Sequence, residues 1–416
     1  MAERTDIHIY AHWIGMEEPK EIGVLTAVQG KAKKTFSFEY NREWLKDSRF
    51  FLLDPDLDQF TGPQYPRNKE NFGVFMDSMP DTWGRTLMRR RAADVAREQG
   101  KPNPTLYDIE YLLGVNDMSR MGALRFKLDP GGPFLDDNRD SPTPPWAHIG
   151  ELQESASRYE KDEDAIDVRK DVKILLAPGS SLGGARPKAN IIDEKGQLWI
   201  AKFPSNSDTT NKGAWEYLAY RLATGAGINM AESQLLHVSG KYDTFLTKRF
   251  DRELGHRIHF SSAMTMTGNI EGNIPEETGY LDIAEFIQRY GKSIEADLHQ
   301  LWRRIIFNIA ISNTDDHLRN HGFVLTDKGW TLSPAYDINP SIDKDSLALT
   351  IDSSSSALDF DLAFSVGEYF RLDKRQMEDI FHQVSKSVSN WRTIAREIGI
   401  SRSEVEQMST AFQFDQ

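Results

Sequence analysis

The sequence predicts an α+β chain whose strand-rich and helical parts are segregated along its length. Three observations carry this. Short runs of β-branched and aromatic residues, broken by glycines, occur near the amino terminus and again from about residue 171 to residue 255. Beyond about Gly279 nearly every stretch has helical spacing instead. The chain has 416 residues with 22 Phe, 13 Tyr and 9 Trp, more than one compact core needs and enough apolar material for two or three coupled units.

Taken in order, IHIYAHWIG, EIGVLTAVQG and KTFSFEY, punctuated by Gly15, Gly23 and Gly30, read as a small antiparallel sheet. From about Gly73 to Lys127 the pattern turns helical, in TWGRTLMRRRAADVAREQG and TLYDIEYLLGV. Arg89, Arg90 and Arg91 read as the solvated face of the first of these helices rather than a nucleic-acid patch. The stretch from Asp129 to Trp146, DPGGPFLDDNRDSPTPPW, can continue neither helix nor ladder and marks a linker. A polar helix follows near His148 to Asp164. Strand character returns in DVKILLAP, KANIID, QLWIAKFP, LLHVSG and YDTFLTKRFD, interrupted by one helix, WEYLAYRLATGAGI. Helices then run from LDIAEFIQRYGK through ADLHQLWRRIIFNIAI to the tail between Asp373 and Phe412, with a hairpin at GFVLTDKGWTL.

Charge and composition exclude several classes of function. Fifty Lys and Arg against 63 Asp and Glu leave a net charge of −13, a poor basis for general polyanion binding, which needs clustered cations. The absence of cysteine excludes disulfides, thiolate zinc sites and thiol catalysis. The first ten residues, MAERTDIHIY, lack a signal-peptide core, and no apolar run approaches the roughly 18 residues of a membrane span. A soluble, cytoplasmic protein with no membrane partner is expected.

Chemistry concentrates in three places. The first is the turn GSSLGGARPK, Gly179 to Lys188, between an expected strand ending at Ala177 and one starting near Ala189. Its glycines would let backbone N–H groups close on phosphate oxygens, with Arg186 and Lys188 adding positive charge; a plain hairpin turn fits it equally well. It is not a Walker loop, because Ala185 stands where the lysine should be. The second is GQLWIAKFP, where Ile200 and Lys202 share a face opposite Trp199 and Ala201, bringing the Lys202 ammonium toward the glycine turn. A strand, a glycine-rich loop and a lysine-bearing strand form the nucleotide lobe of a protein-kinase-like fold. Glu216, opening the next helix, is either an ion-pair partner for Lys202 or a surface carboxylate, and Lys202 itself has the alternative of an edge-strand lysine.

The third and strongest is FNIAISNTDDHLRNHGFVLTDKGWTLSPAYDI. Asp315 and Asn320 have the spacing D-x-x-x-x-N, which in kinase-like catalytic loops sets a carboxylate at the acceptor hydroxyl and an amide on a metal. Asp337 follows at a position that suits a carboxylate binding Mg²⁺ beside nucleotide phosphates. His317 has two readings, loop packing or direct chemistry. A zinc site on His317 and His321 is disfavoured, since the HExxH glutamate is absent.

The segments GSSLGGARPKA, TKRFDR, FNIAISNTDDHLRNHGF and LSPAYDI, with FGVFMDSMPDTWGR and LLGVNDMSRMGALRF nearer the amino terminus, resemble the HipA family of serine/threonine-kinase toxins from bacterial type II toxin–antitoxin modules. The resemblance spans nearly the whole chain in order. It implies a bilobal protein-kinase-like fold with an added strand-rich amino-terminal subdomain and an all-helical carboxy-terminal lobe. The boundaries drawn are 1–130 for that subdomain, 131–170 for linker and helix, 171–255 for the nucleotide lobe and 256–416 for the catalytic lobe. Use of ATP and Mg²⁺ is implied, with Asp315 as catalytic base, Asn320 and Asp337 on the metal, and Lys202 on phosphates. Gly183, Gly184, Ala185, Lys188 and His317 fall at nucleotide-contacting positions, and Lys248, Arg249 and Phe250 at the hinge beside adenine. Ser181, with Ser180 beside it, matches a serine whose autophosphorylation silences the kinase. Implied partners are a HipB-like helix-turn-helix antitoxin, DNA only through that antitoxin, and a protein substrate such as an aminoacyl-tRNA synthetase. Arg186-Pro187 and Asp316 depart from some members of the family, and the role of Asp316 stays open.

A rival class is a DNA-binding or nucleotide-binding regulator without phosphotransfer. The tail IAREIGISRSEVEQM has helix-turn-helix spacing, with Ala395, Gly399, Ile400 and Ser401 at the expected places, though few cations flank it. Ordinary final helices of the catalytic lobe are the other reading. Residues 171–250 carry a net +3 within this acidic chain, so the block proposed to hold phosphates is also its one net-positive block.

Overall fold

Alternation decides the first strand, β1 (Arg4–Ala11): Ile7, Ile9 and Ala11 are buried while the residues between them are not. It pairs antiparallel with β2 (Lys20–Gln29), which pairs with β3 (Lys34–Tyr40). Gly23 is required here by space: a Cβ would lie 2.2 Å from the Glu39 carbonyl oxygen. The computed structural model describes residues 4–29, 34–46, 51–137, 143–161, 168–176, 184–270 and 277–414. Its contacts divide into two units, Met1–Asn206 with Asp251–Ser261, and Ser207–Phe250 with Ser262–Gln416. Residues 171–255, read from the sequence as one lobe, therefore contribute to both.

In the first unit, helix α1 (Thr82–Glu98) begins at Asp81, whose carboxylate accepts from Gly84 N, and strand β4 (Leu124–Lys127) joins the other edge of β1. Arg89 and Arg91 are exposed, as expected of a solvated face of α1, whereas Arg90 turns inward and reaches the buried Asp94 at 3.4 Å. After α2 (Ile149–Lys161) comes a correction. The run DVKILLAP, expected as a strand, lies largely in a helix, α3 (Val168–Leu176). A short apolar run cannot by itself tell helix from strand. Here Asp171 in the first turn accepts two bonds from Arg158 of α2 at 2.6 and 3.0 Å, and Val172 and Leu175, one turn apart, are buried. Strands β5 (Lys188–Ile192) and β6 (Leu198–Lys202) then form an antiparallel hairpin about the expected DEKG turn.

The second unit opens with α4 (Lys212–Gly225), followed by the antiparallel pair β7 (Ser233–Leu236) and β8 (Thr244–Lys248). Its core is built on α5 (Tyr280–Tyr290) and α6 (Ile294–Ala310). Leu301, Trp302, Ile305, Ile306, Phe307, Ile309 and Ala310 of α6 are all fully buried, which marks a helix enclosed on every side in its second half. The hairpin β9 (Gly322–Thr326) and β10 (Gly329–Leu332) sets strands within a lobe expected to be all-helical, because Phe323, Leu325, Trp330 and Leu332 give it an apolar face to bury. The tail forms α7 (Lys374–Val388), α8 (Trp391–Ile398) and α9 (Arg402–Gln407), with Gly399 left-handed at the turn and Ser401 capping α9. Glu404 of α9 accepts from Trp215 Nε1 at 3.1 Å and Asn211 N at 3.0 Å, so α9 spends its central carboxylate on docking to α4. Among the described residues no helix is long and apolar enough to cross a membrane.

Candidate active site

A stripe of polar residues on the otherwise apolar α6 positions the candidate loop. Asp297, Arg304 and Asn308 are seven and four residues apart, which at 3.6 residues per turn places them on one line along the helix, and all three are buried. Asp297 accepts from Thr331 Oγ1 at 2.9 Å and Leu332 N at 3.0 Å, and Arg304 donates to the Ser333 carbonyl at 2.5 Å, so the hairpin is held against the helix. Asn308 bonds Asp316 at 2.7 Å and, through its carbonyl, Asn313 at 3.1 Å.

The loop leaves α6 at Ser312, which has a left-handed backbone (φ 50°). Asp337 also has φ 55°. Two of the five non-glycine residues with positive φ among the described residues thus bracket the loop and the downstream aspartate, the kind of held strain found at functional sites. Three bonds lace these segments together: Ser341 N to Ser312 O at 3.2 Å, Asn339 N to Asn313 Oδ1 at 3.5 Å, and Tyr336 Oη to Arg319 O at 2.7 Å. The expected Asp315, Asn320 and Asp337 therefore lie on two neighbouring, mutually bonded segments.

Within the loop Asp315 is exposed and Asp316 is buried. Asn320 Nδ2 donates to the Asp315 carbonyl oxygen at 3.0 Å, which fixes the amide and leaves Oδ1 as its ligand-facing atom. Asn339 Nδ2 donates to Asp337 Oδ1 at 3.3 Å. An oriented amide oxygen and one carboxylate are the sparse hard-oxygen set that suits Mg²⁺ completed by phosphates and water. His317 is half-buried, and its Nδ1 is enclosed without a hydrogen-bond partner among the described residues. Asp316 accepts from Tyr280 Oη and Asn308 Nδ2, and its other oxygen lies 2.8 Å from His321 Nε2. Burial pushes the Asp316 carboxyl up, but the charge and bond of His321, with the Tyr280 hydroxyl, hold it below the ordinary aspartate value. His321 thus faces Asp316 instead of sharing a zinc ion with His317.

Glu216 of α4 and Asp337 line one small recess with Tyr220, Ser233, Thr247 and Tyr336. Lys248 pairs with Glu232 at 3.4 Å, Arg249 is buried, and Phe250 packs its ring 5.6 Å from that of Tyr336, next to Asp337. In the first unit Lys202 is half-buried and directly opposite Lys188 across the hairpin. Like charges in that register each need a counterion. Lys188 finds one in Asp81 at 2.8 Å, bonds the Gly184 carbonyl at 3.2 Å, and is 1% exposed. A phosphate contact by Lys188 requires that pair to open. Gly184 and Ala185 are exposed. Gly183, Ser180 and Ser181 lie outside the described residues.

Sequence reasoning did not find Tyr280, Asn308, Asp81 or the left-handed Ser312. Only Asn308 left a signal, as a polar residue at helical spacing from Arg304 and Asp297 in an apolar run.

The family model of the HipA-like C-terminal domain matches residues 180–391. The chain belongs to this family. The HipA match covers the loop, the Asp337 segment and the hairpin just described. Among curated proteins, "Putative kinase" of Haemophilus influenzae is 27% identical over 187 residues, covering 40% of this chain and 54% of the relative. "Putative kinase Y4mE" of Sinorhizobium fredii is 25% identical over 186 residues, covering 38% and 41%. The chain thus spans about half the length of these relatives or less. Among solved structures, HipA of Shewanella oneidensis MR-1, described with HipB and operator DNA as a toxin–antitoxin complex, matches 97% of this chain and 94% of its own with a TM-score of 0.66 at 17% identity. That likeness shows a shared α+β fold.

Proposed function

We propose that this protein is an ATP- and Mg²⁺-dependent serine/threonine protein kinase, the toxin of a HipA/HipB-type module. The observation that carries the reading is the exposed Asp315 on a loop bonded to the Asp337 segment, with the Asn320 amide held by the Asp315 carbonyl oxygen. Asp315 would orient the acceptor hydroxyl and take its proton as the new O–P bond forms and the bond from the γ-phosphorus to ADP breaks. Asn320 Oδ1 and Asp337 would hold Mg²⁺, which when bound neutralises phosphate charge. Lys202, by family motif, would do the same from its side chain, and Lys248, Arg249 and Phe250 would border adenine. Such a site works mainly by positioning and electrostatics.

The family and the named kinases among the relatives support this reading, and the HipB and operator DNA in the Shewanella complex support a small helix-turn-helix antitoxin as partner. An aminoacyl-tRNA synthetase is the proposed acceptor protein. Autophosphorylation at Ser181 is the proposed off-switch, since a phosphate adds about −1.5 to −2 charge where ATP must bind. The test is transfer of label from γ-labelled ATP to proteins of a cytosolic extract. Asp315→Gln should lower transfer by about 10²–10⁴-fold while ATP binding persists. Near wild-type transfer by that variant would remove Asp315 from the mechanism.

A further inference from the structure

Asp316 stands beside the proposed base and touches no open space. It is 3% exposed, and every side chain that holds it comes from a different place in the fold. Tyr280 opens α5, where Gly279 packs so closely on Thr350 that a Cβ would lie 2.1 Å from the Thr350 carbonyl oxygen. Asn308 ends the polar stripe of α6 and also accepts from Asn313 of the loop at 3.1 Å and donates to Tyr280 Oη at 3.1 Å. His321 closes the loop, with its own carbonyl accepting from Ala263 N at 2.8 Å. The loop is thus nailed inward at Asn313, Asp316 and His321, and Asp315 lies between the first two.

We propose that Asp316, gripped by Tyr280, Asn308 and His321, is the positioning residue that turns the Asp315 carboxylate outward and holds it at the acceptor hydroxyl. This rests on the kinase reading above. The physical basis is local: Asp315 is exposed, Asp316 is buried, and the two share one peptide, so gripping Asp316 restrains the backbone from which Asp315 points outward. A buried carboxylate with three partners cannot swing out without stranding them, which makes the orientation rigid. The anchor touches neither nucleotide nor acceptor, so its loss should appear in kcat and not in the KM for ATP.

The experiment uses the full chain, γ-labelled ATP with Mg²⁺, and casein as a generic acceptor. Asp316→Asn should lower kcat by about 10²-fold, the effect of misplacing a catalytic group by an ångström, with KM for ATP within about twofold of wild type. Tyr280→Phe should lower kcat by about tenfold, and the double variant should be no worse than Asp316→Asn alone, since the two act as one unit. A folded Asp316→Asn protein with kcat near wild type, or losses that multiply in the double variant, would overturn the proposal. If Asp316→Asn does not fold, Tyr280→Phe decides, and an unchanged kcat sinks the idea. If wild-type protein transfers no label, the kinase reading falls. The anchor is then judged by hydrogen exchange at residues 313–317, expected at least about tenfold faster in Asp316→Asn; unchanged exchange overturns it.

Discussion

Adjacent aspartates, Asp315 exposed and Asp316 buried, show how burial sorts residues of one type into different roles. The same sorting sets the protonation of His259. It is 1% exposed and its ring stacks on that of Trp13 with centroids 5.6 Å apart. Burial pulls its pKa from 6.5 down to about 3. The unfolded chain takes up this proton near pH 6.5 and the folded chain does not until about 3, so the unfolded state binds more protons in that window. Stability is therefore lost as pH falls from 6.5, at up to about 1.4 kcal/mol per pH unit from this one group. Replacing His259 with Phe keeps an aromatic ring beside Trp13 and removes the titration. Urea midpoints at pH 7.5, 6 and 5 should fall more steeply for wild type than for His259→Phe; parallel slopes would show that His259 protonates in the folded chain.

At the scale of elements, α6 organises the second unit through its three buried polar residues. Asp297 alone satisfies Thr331 Oγ1 and Leu332 N of β10. Asp297→Ala should leave that buried amide without a partner and cost about 1–3 kcal/mol, with faster exchange of the Leu332 amide hydrogen as the local readout. An unchanged denaturation midpoint would mean that the hairpin docks through its apolar face alone. Much of this architecture was legible. The alternation of IHIYAHWIG, the helical run of ADLHQLWRRIIFNIAI and the D-x-x-x-x-N spacing each state their element locally. What stayed hidden depended on distant partners. Residues 168–176 are a helix that docks by burying Val172 and Leu175 and by holding Asp171 on Arg158, contacts that no local propensity encodes. Lys188 looked like a free cation until Asp81, 107 residues away, supplied its counterion. Asp316 had no readable role because Tyr280, Asn308 and His321 converge on it only after folding.

At the scale of the whole molecule, the charge of −13 and the packing of the tail bear on one question, whether the chain reads DNA by itself. Helices α8 and α9 do have helix-turn-helix order, yet the second helix presents Arg402, Ser403, Glu406 and Gln407 outward, one cation against one anion, and Arg392 lies 3.5 Å from Glu406. Binding to duplex DNA draws its strength from several cations displacing counterions at phosphates. A surface with one cation per anion lacks that source, and the excess negative charge of the chain opposes approach. The isolated protein should therefore leave a 30-base-pair duplex unshifted in a gel at both ~50 and ~150 mM salt. With the proposed small helix-turn-helix partner added, the duplex should shift, and the protein should enter the shifted band. Retention of the duplex by the chain alone at the higher salt would make α9 a recognition helix and give this protein its own contact with DNA.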